Sequence, residues 1–587
     1  MNNPPKTSAM TGWRGRLLSV DLSRQRIWTE ELPVDLLHSY LGGRGLGIRL
    51  MRDHYRNDPF AAEMPLFFAV GPLCGTSVPT SSRFSVISRS PLTGAIHDSS
   101  CGGSFARHLK AAGYDGVKIT GVSPAPVVLS IRGSQVEIRP ANHLWGAGVA
   151  KTVAALDPYG AVAVIGPAGE NQVRYANIVT AEGNAAGRGG LGAVMGAKRL
   201  KGIQVVGEMT VPVADPVGLE RGVNDVMRLL KASPVIFGDL GFSEFGTAAL
   251  IDLLNQRRMV PTKNFRETYF AAASRYSAPA LRRLYGPKKQ GCHECPIACK
   301  KAVRGRQRVP EHSSLSHFGA LLGISDPALI VRSGQLCNDL GLDTLSAAVS
   351  IAAFSEARGE FPSGAEVLER LRQIAYRQHD GNLLAEGAQR LTAELGCPQL
   401  AMTVKGLELP AYDPRGAYGM ALAYATSNRG GCHLRAYSLA HEVLRKPVAT
   451  DRFDFAGKAW MNIVAENTNA AVDSLIACRF TSMAAGLEEY APLLTAVTGA
   501  DFTAARLTAI GERIWLTERY YNQINGFSSS DDTLPERFFC EEGSSGDGVS
   551  VPAIDRRRFI EERQRYYRLR KLDEQGQLHQ DYVDTQP

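Results

Sequence analysis

The sequence predicts an α+β fold, with a β-rich N-terminal domain over residues 1–207 followed by two mostly α-helical domains, 208–409 and 410–587. Three observations carry this. A chain of 587 residues is too long for one core. Up to about residue 207, apolar residues come in short β-branched runs punctuated by Gly, Pro and Asp. Beyond that point Ala, Leu and Arg become commoner, and apolar residues recur at helical spacing.

The first two strands are expected at Arg16–Leu22 and Gln25–Trp28, around a turn. Others are expected at Leu66–Val70, Phe84–Ser88, Gly116–Thr120, Val127–Ile131 and Val162–Ile165. A parallel dinucleotide-binding sheet would need regular intervening helices, and few are evident. The one G-x-G-x-x-G-like run, Gly187–Gly192, follows no clear strand, so nucleotide binding there is weakly supported. Helices are expected at Val217–Lys231, Glu366–His379 and Leu507–Asn522. Residues 541–550 read as a loop, and the last fifteen residues as a polar tail.

The composition is that of a soluble globular protein, 44% hydrophobic and 21% charged. A net charge of +8 without a basic run argues against nucleic-acid binding, although a mild positive surplus suits docking of an acidic electron carrier. The polar start, Met1–Thr11, lacks the apolar region of a signal peptide, and no apolar stretch is long enough to span a bilayer. The expectation is a cytoplasmic protein whose ten cysteines serve metal binding or burial rather than disulfides.

The sharpest local signal is Cys292-His-Glu-Cys295-Pro-Ile-Ala-Cys299. Three thiolates at this spacing can wrap one loop around a cubane iron–sulfur cluster, with a fourth ligand from elsewhere. A zinc site that includes His293 is the competing reading. Spacing does not choose the fourth ligand among the seven other cysteines.

Three further segments combine arginine or serine with glycine: Ser81–Gly103, Ala185–Ala193 and Asn428–His433. Any one of them is accounted for by tight turns. Together they suit a bulky phosphorylated ligand, because glycine lets backbone N–H groups approach an anion and arginine offers paired donors. Asn338–Asp343 reads either as a helix end capped by Gly341 with Asp343 opening the next helix, or as carboxylates that accept hydrogen bonds from a pterin. Asp473–Cys478 looks like a second copy of that function.

In order, these segments resemble the tungsten-containing aldehyde:ferredoxin oxidoreductase family. The resemblance begins at Gly15–Leu22 and Leu41–Gly47 and runs through Ser90–Gly94, Ala186–Lys198, the cysteine triplet, Cys337–Thr344 and Asp413–Gly416. It ends with Ala423–His433, Asp473–Cys478 and Asp532–Arg537. It implies a tungsten (or molybdenum) bis-pyranopterin held between the domains, and a [4Fe–4S] cluster on Cys292, Cys295, Cys299 and Cys478. It places Arg83 between cluster and pterin. Arg188, Gly102, Gly103, Gly189 and Gly190 would lie near the pterin phosphates and a bridging Mg2+, with Ser100 beside it. Asn338, Asp339, Gly341, Leu342, Asp343 and Asp473 would contact the pterin rings, and His433 would be the active-site histidine. The implied reaction is oxidation of an aldehyde to a carboxylic acid. The implied partner is ferredoxin or a dedicated iron–sulfur subunit, in a homo-oligomer or hetero-complex.

Two positions depart from the family pattern. Where the family has Pro-Glu-Tyr-Glu, this chain has Pro310-Glu311-His312-Ser313, so the usual active-site carboxylate is Ser313. A serine does not act as a general base without a partner, which leaves Glu311 and His312 as substitutes or points to a different substrate, such as a thioester or an aromatic acyl compound. Ser100 stands where an asparagine is usual, and its hydroxyl can still donate.

Overall fold

The computed structural model describes residues 10–156, 160–303 and 308–579. Residues 1–9 of the polar start and 580–587 of the tail lie outside the described residues.

The N-terminal part contains two six-stranded sheets packed face to face. The first holds β1 (Arg16–Asp21), β2 (Arg26–Glu31), β3 (Leu66–Ala69), β4 (Arg83–Arg89), β5 (Ile96–Gly102) and β6 (Gly116–Thr120), in the order β2-β1-β6-β3-β4-β5. The second holds β7 (Val127–Arg132), β8 (Gln135–Pro140), β9 (Ala161–Val164), β10 (Ile178–Thr180), β11 (Ala185–Ala186) and β12 (Leu200–Val206), in the order β11-β10-β9-β12-β7-β8. Only β1/β6 and β7/β12 pair in parallel, so the sheets are mixed and no dinucleotide-binding unit is formed. A single apolar core joins the sheets. Leu18, Phe68 and Phe84 from the first meet Leu129, Ile131 and Ile203 from the second, and the Phe84 and Phe105 rings lie 4.7 Å apart. Burial of these aliphatic and aromatic side chains between the sheets holds the sandwich.

Each strand expected from the sequence is present, with ends shifted by up to three residues. The strands β5, β8, β10, β11 and β12 were not anticipated. β5 has the sequence Ile-His-Asp-Ser-Ser-Cys-Gly, whose polar side chains serve the site described below rather than a core. Helices within this part, such as Val34–Tyr40, Gly43–Leu50 and Phe105–Ala111, span only seven or eight residues, too short to show a clear period.

The remainder is helical. The three expected helices appear as Pro216–Ala232, Gly364–Tyr376 and Ala504–Ile524. The second starts with a reciprocal Ser363/Glu366 capping box. Helix Pro327–Leu340 ends at Gly341 in the left-handed region (φ 79°), and Asp343 caps Thr344–Arg358 by accepting from the Leu345 amide at 3.0 Å. Residues 541–550 carry neither a helix nor a regular strand. Among the described residues, no helix is long and apolar enough to cross a membrane.

The site is assembled where these parts meet. Helix Gly43–Leu50 lies against helix Lys458–Leu475, with the Gly45 amide donating to Ser474 Oγ at 2.9 Å. Arg188 crosses the same boundary. Its guanidinium donates to Asp343 (3.2 Å), the Glu408 carbonyl (2.7 Å) and the Gly431 carbonyl (3.2 Å), while its own amide donates to Ser99 Oγ (3.2 Å).

Candidate active site

Cys292, Cys295 and Cys299 lie on the loop between Lys288–Gln290 and Lys300–Ala302, which pair antiparallel. Cys478 arrives from elsewhere: helix Lys458–Leu475 ends at Ile476 (φ 64°), and the Cys478 amide then donates to the Thr80 carbonyl at 3.1 Å. The four thiols line one cavity of about 1070 Å³. Gly102 permits the approach of the loop, since a Cβ there would lie 2.5 Å from Cys292 Sγ. Arg83 is fixed beside the thiols by Ser100, donating to its Oγ at 2.9 Å and its carbonyl at 3.0 Å. Burial alone would lower the Arg83 pKa, but Cys478 and Cys292 more than offset that and raise it. Burial raises the thiols of Cys292 and Cys299, and pushes Cys295 up to about 11. Among the described residues no three His, Cys, Asp or Glu side chains converge closely enough to hold a single metal ion. Of the other cysteines, Cys74, Cys101, Cys337 and Cys432 are buried, Cys397 is half-buried and Cys540 is exposed.

Deeper in the same cavity lie His312, Ser313, His433, Tyr412 and Tyr437. The Tyr412 ring stands between the histidines, 5.1 Å from His312 and 5.2 Å from His433, and its hydroxyl is hydrogen-bonded to that of Tyr437. The Nε2 of His312 faces the Ala411 carbonyl at 3.3 Å, while the Nδ1 atoms of His312 and His433 have no hydrogen-bond partner. Burial lowers His312 to about 4, and burial together with Arg188 and Arg429 holds His433 well below its ordinary value. Both rings are therefore neutral at pH 7. Burial raises both phenols, Tyr437 to about 12, so both remain hydrogen-bond donors. Glu311 is committed elsewhere. Its carboxylate pairs with Lys300 and accepts from Thr247 Oγ1; burial would raise its pKa, but Lys300 brings the net shift down.

The third component is a cationic cradle. Gly189 and Gly190 take φ 82° and 75°, where side chains are disfavoured, and a Cβ on them would strike the His97 ring and the Arg174 carbonyl. Across from them, Arg44, Arg429, Arg435 and Arg479 surround Asp98 and Asp473. Arg44 lies 3.4 Å from Asp473 and is held bidentately by Glu518 at 2.6 and 2.7 Å; Arg435 pairs with Asp98, and Arg479 with Asp473. Burial would raise the Asp98 pKa, yet Arg435, Arg44 and Arg429 hold it well below the usual carboxylate range. Burial likewise would raise Cys432, but Arg429 and Arg435 bring it down to about 7. The positive potential is not fully compensated. Arg429 Nε, Arg435 Nε and both His97 ring nitrogens are buried without a hydrogen-bond partner. Such donors suit an anionic, phosphate-bearing ligand.

Of the residues singled out in the sequence, Arg83, Arg188, Glu311, His312, Ser313, Asp343, His433 and the four cysteines share the cavity. Ser100 and Gly102 stand behind Arg83, and the Gly103 carbonyl accepts from Ser82 at 2.6 Å. Gly341 and Leu342 form the turn against the sandwich, with the Leu342 carbonyl accepting from Asn177 at 2.8 Å. Asn338 and Asp339 do not line the cavity; the Asp339 carboxylate accepts from the Ala150 amide at 2.8 Å, at the start of helix Val149–Ala155. Sequence reasoning overlooked Arg44, Asp98, Tyr412, Arg429, Arg435, Tyr437 and Arg479. The signal was present for Arg429, inside the Gly-rich Asn428–His433, and for Arg44, inside Leu41–Gly47 where the family resemblance begins.

The family model "Aldehyde ferredoxin oxidoreductase, N-terminal domain" matches residues 17–207, and "Aldehyde ferredoxin oxidoreductase, domains 2 & 3" matches residues 221–585. The tungsten-containing aldehyde ferredoxin oxidoreductase of Pyrococcus furiosus is 40% identical over 97% of this chain and 98% of its own length, and that of Thermococcus kodakarensis is 39% identical with the same coverage. An aliphatic sulfonate oxidoreductase, WOR-like subunit, of P. furiosus is 28% identical over 97% of this chain and 96% of its own. Among solved structures, the active-site complex BamBC of benzoyl coenzyme A reductase superposes with a TM-score of 0.84 over 98% of this chain and 97% of that one; at 22% identity this shows a shared fold. With both family models matched in order and relatives near 40% identical along almost the whole chain, the protein belongs to the aldehyde ferredoxin oxidoreductase family.

Proposed function

We propose that this chain oxidises an aldehyde to a carboxylate, R–CHO + H2O → R–COO⁻ + 3H⁺ + 2e⁻, and passes the electrons singly to ferredoxin or a dedicated iron–sulfur subunit. The observation that carries the reading is one cavity lined by four thiols and two neutral histidines, with Arg83, Arg188 and Arg479 in its wall and the arginine cradle packed behind Arg479 through Asp473. Thiols that share a cavity without converging on one point suit the corners of a [4Fe–4S] cluster better than one zinc ion. The tungsten bis-pyranopterin, when bound, supplies the two-electron chemistry and the cluster relays electrons one at a time. Arg188, Arg429, Arg435 and the Gly189–Gly190 turn would hold the pterin phosphates and their Mg2+; Asp343 and Asp473 would face the pterin rings.

The chain's own residues orient the substrate and manage protons. His433, neutral, directs a ring nitrogen towards the carbonyl oxygen, while the mutually hydrogen-bonded phenols of Tyr412 and Tyr437 keep one proton free to donate in the same pocket. Ser313 offers a hydroxyl in place of a carboxylate, and Glu311 is neutralised by Lys300. Proton removal therefore falls to the histidines and to water. Anaerobic purification with metal analysis, followed by aldehyde-dependent viologen reduction, tests the reading. Tungsten with about four irons per chain and aldehyde-driven reduction supports it; zinc alone overturns it.

A further inference from the structure

The cavity does not end at the histidines. Beyond His433 it continues outward between helix Lys458–Leu475, the segment 440–450 and the segment 480–486. One face of this helix is pinned to the protein: Lys458 pairs with Glu442 at 2.9 Å, Asn462 donates to the Gly419 carbonyl at 3.0 Å, and Asn469 donates to the Arg435 carbonyl at 2.9 Å. The other face carries Trp460, Val464 and Thr468, four residues apart and so on one stripe, and this stripe lines the cavity. Opposite are Pro447 and Val448.

This outer wall is apolar and open. Trp460 is 60% exposed, Val448 63% and Val464 44%. A contiguous exposed apolar surface of this kind, continuous with a reaction site, is costly to leave wet and gains by covering. No Asp or Glu lines this outer part among the described residues; its charged or titratable side chains are His441 and Lys446.

We propose that Trp460, with Val464 and Val448, is the specificity-determining wall of this enzyme and selects aldehydes with a large apolar body, alkyl or aryl, over small ones. This rests on the aldehyde reading above and names its substrate class. The carbonyl sits by His433 while the apolar body lies along the helix stripe, with the Trp460 ring covering its far end. The wall compensates for the serine at position 313: a chain without a pocket carboxylate gains substrate orientation from remote apolar contact.

The test is binding of a product series, n-alkanoates from acetate to decanoate plus 2-naphthoate, to the purified full-length holoprotein, measured by calorimetry. Affinity is expected to rise about two- to fourfold per methylene over the longer members, as burial of each CH2 predicts. Trp460→Ala should flatten that slope and weaken decanoate and 2-naphthoate about tenfold, the loss expected for a large aromatic contact. Trp28→Ala, on the outer strand β2, should keep the slope. An affinity independent of chain length, or the same slope in Trp460→Ala, would overturn the proposal. So would a Trp460→Ala protein that only dissociates from a second copy, because Trp460 would then be an interface residue. Binding needs no turnover. A slope without aldehyde-dependent viologen reduction supports the wall and sinks the aldehyde reading, whereas turnover without a slope does the reverse.

Discussion

The two ends of the cavity are built on opposite terms. At the cysteine end, charged neighbours are paired: Lys300 with Glu311, and Arg83 with both oxygens of Ser100. At the histidine end, the groups nearest the chemistry keep an unmet hydrogen-bonding position, at Nδ1 of His312 and of His433. The proposed electron relay needs fixed distances and little reorganisation, which the pairing of Arg83 with Ser100 and of Lys300 with Glu311 supplies, although His293 Nε2 in the loop has no hydrogen-bond partner. Substrate binding needs donors and acceptors still to be satisfied, and an unpartnered ring nitrogen supplies one. The comparison assigns Glu311 to the fixed end, although its neighbours in sequence belong to the reactive end.

The largest expected effect lies at the fixed end. Cys478→Ser should remove or destabilise the cluster, read as a fall from about four irons per chain and loss of visible absorbance. Cys397→Ser, which does not line the cavity, should keep both. Full iron content in Cys478→Ser would dissolve the distinction between the two ends. At the reactive end, His433→Ala should lower turnover by at least roughly a hundredfold, the low end for loss of an acid–base group. Tungsten and iron content should stay normal, because His433 is not among the residues that would hold either. Loss of metal in this variant would move His433 to the fixed side of the comparison.

The same contrast explains what was legible in the sequence. Strands β1, β3, β4 and β7 could be read because they are short, nearly continuous runs of buried, mostly apolar residues bounded by turn residues. β5 could not be read: His97 and Asp98 face the cradle, so the strand lacks an apolar alternation. Helix Thr344–Arg358 is buried nearly all round and shows little amphipathic contrast to detect. The cysteine triplet was legible as local spacing, whereas Cys478 reaches the cavity only through the fold and had to come from the family resemblance. Arg435 was invisible for a related reason: its partner Asp98 is 337 positions away in sequence and meets it only in the fold. Arg479 pairs with Asp473 only six positions away, but nothing local marks that pair as part of a cradle.

A smaller effect concerns acid stability. His312 is neutral and buried, with its pKa brought from 6.5 to about 4. The unfolded chain therefore binds a proton that the folded chain refuses between those values. The stabilisation is complete above about 6.5, is lost as pH falls towards 4, and is unchanged below that. A thermal-denaturation series should show melting temperature falling through this window; His312→Gln should make the fall shallower, the remainder coming from the likewise buried His97, His317 and His433. Glu311 acts lower: its depressed carboxyl stabilises above its unfolded value near about 4.3 and is lost as acid protonates it. Equal slopes in wild type and His312→Gln between pH 6.5 and 4 would show that His312 is not the buried neutral ring described here.

The smallest expected change tests why the reactive end differs from its relatives. Ser313 lines the cavity beside His312, and its hydroxyl has no side-chain base to activate it, because Glu311 is turned to Lys300 and Thr247. Simple aldehydes such as acetaldehyde have little apolar body to hold them in place, so they should be oxidised slowly by this protein. Ser313→Glu restores a carboxylate within the cavity, and should raise acetaldehyde turnover severalfold, well short of the roughly hundredfold or more that a fully positioned base contributes. The gain is limited because the new carboxylate enters a pocket whose neighbours are arranged around a hydroxyl, and a misplaced base loses most of its effect. The pH profile separates the possibilities. A true general base adds an acidic limb to kcat/KM, with activity falling as the new carboxyl is protonated, whereas a packing change leaves the profile's shape alone. If Ser313→Glu neither raises turnover nor adds that limb, the pocket is built around a substrate that does not need a carboxylate, and the reactive end differs from its relatives in chemistry rather than in efficiency.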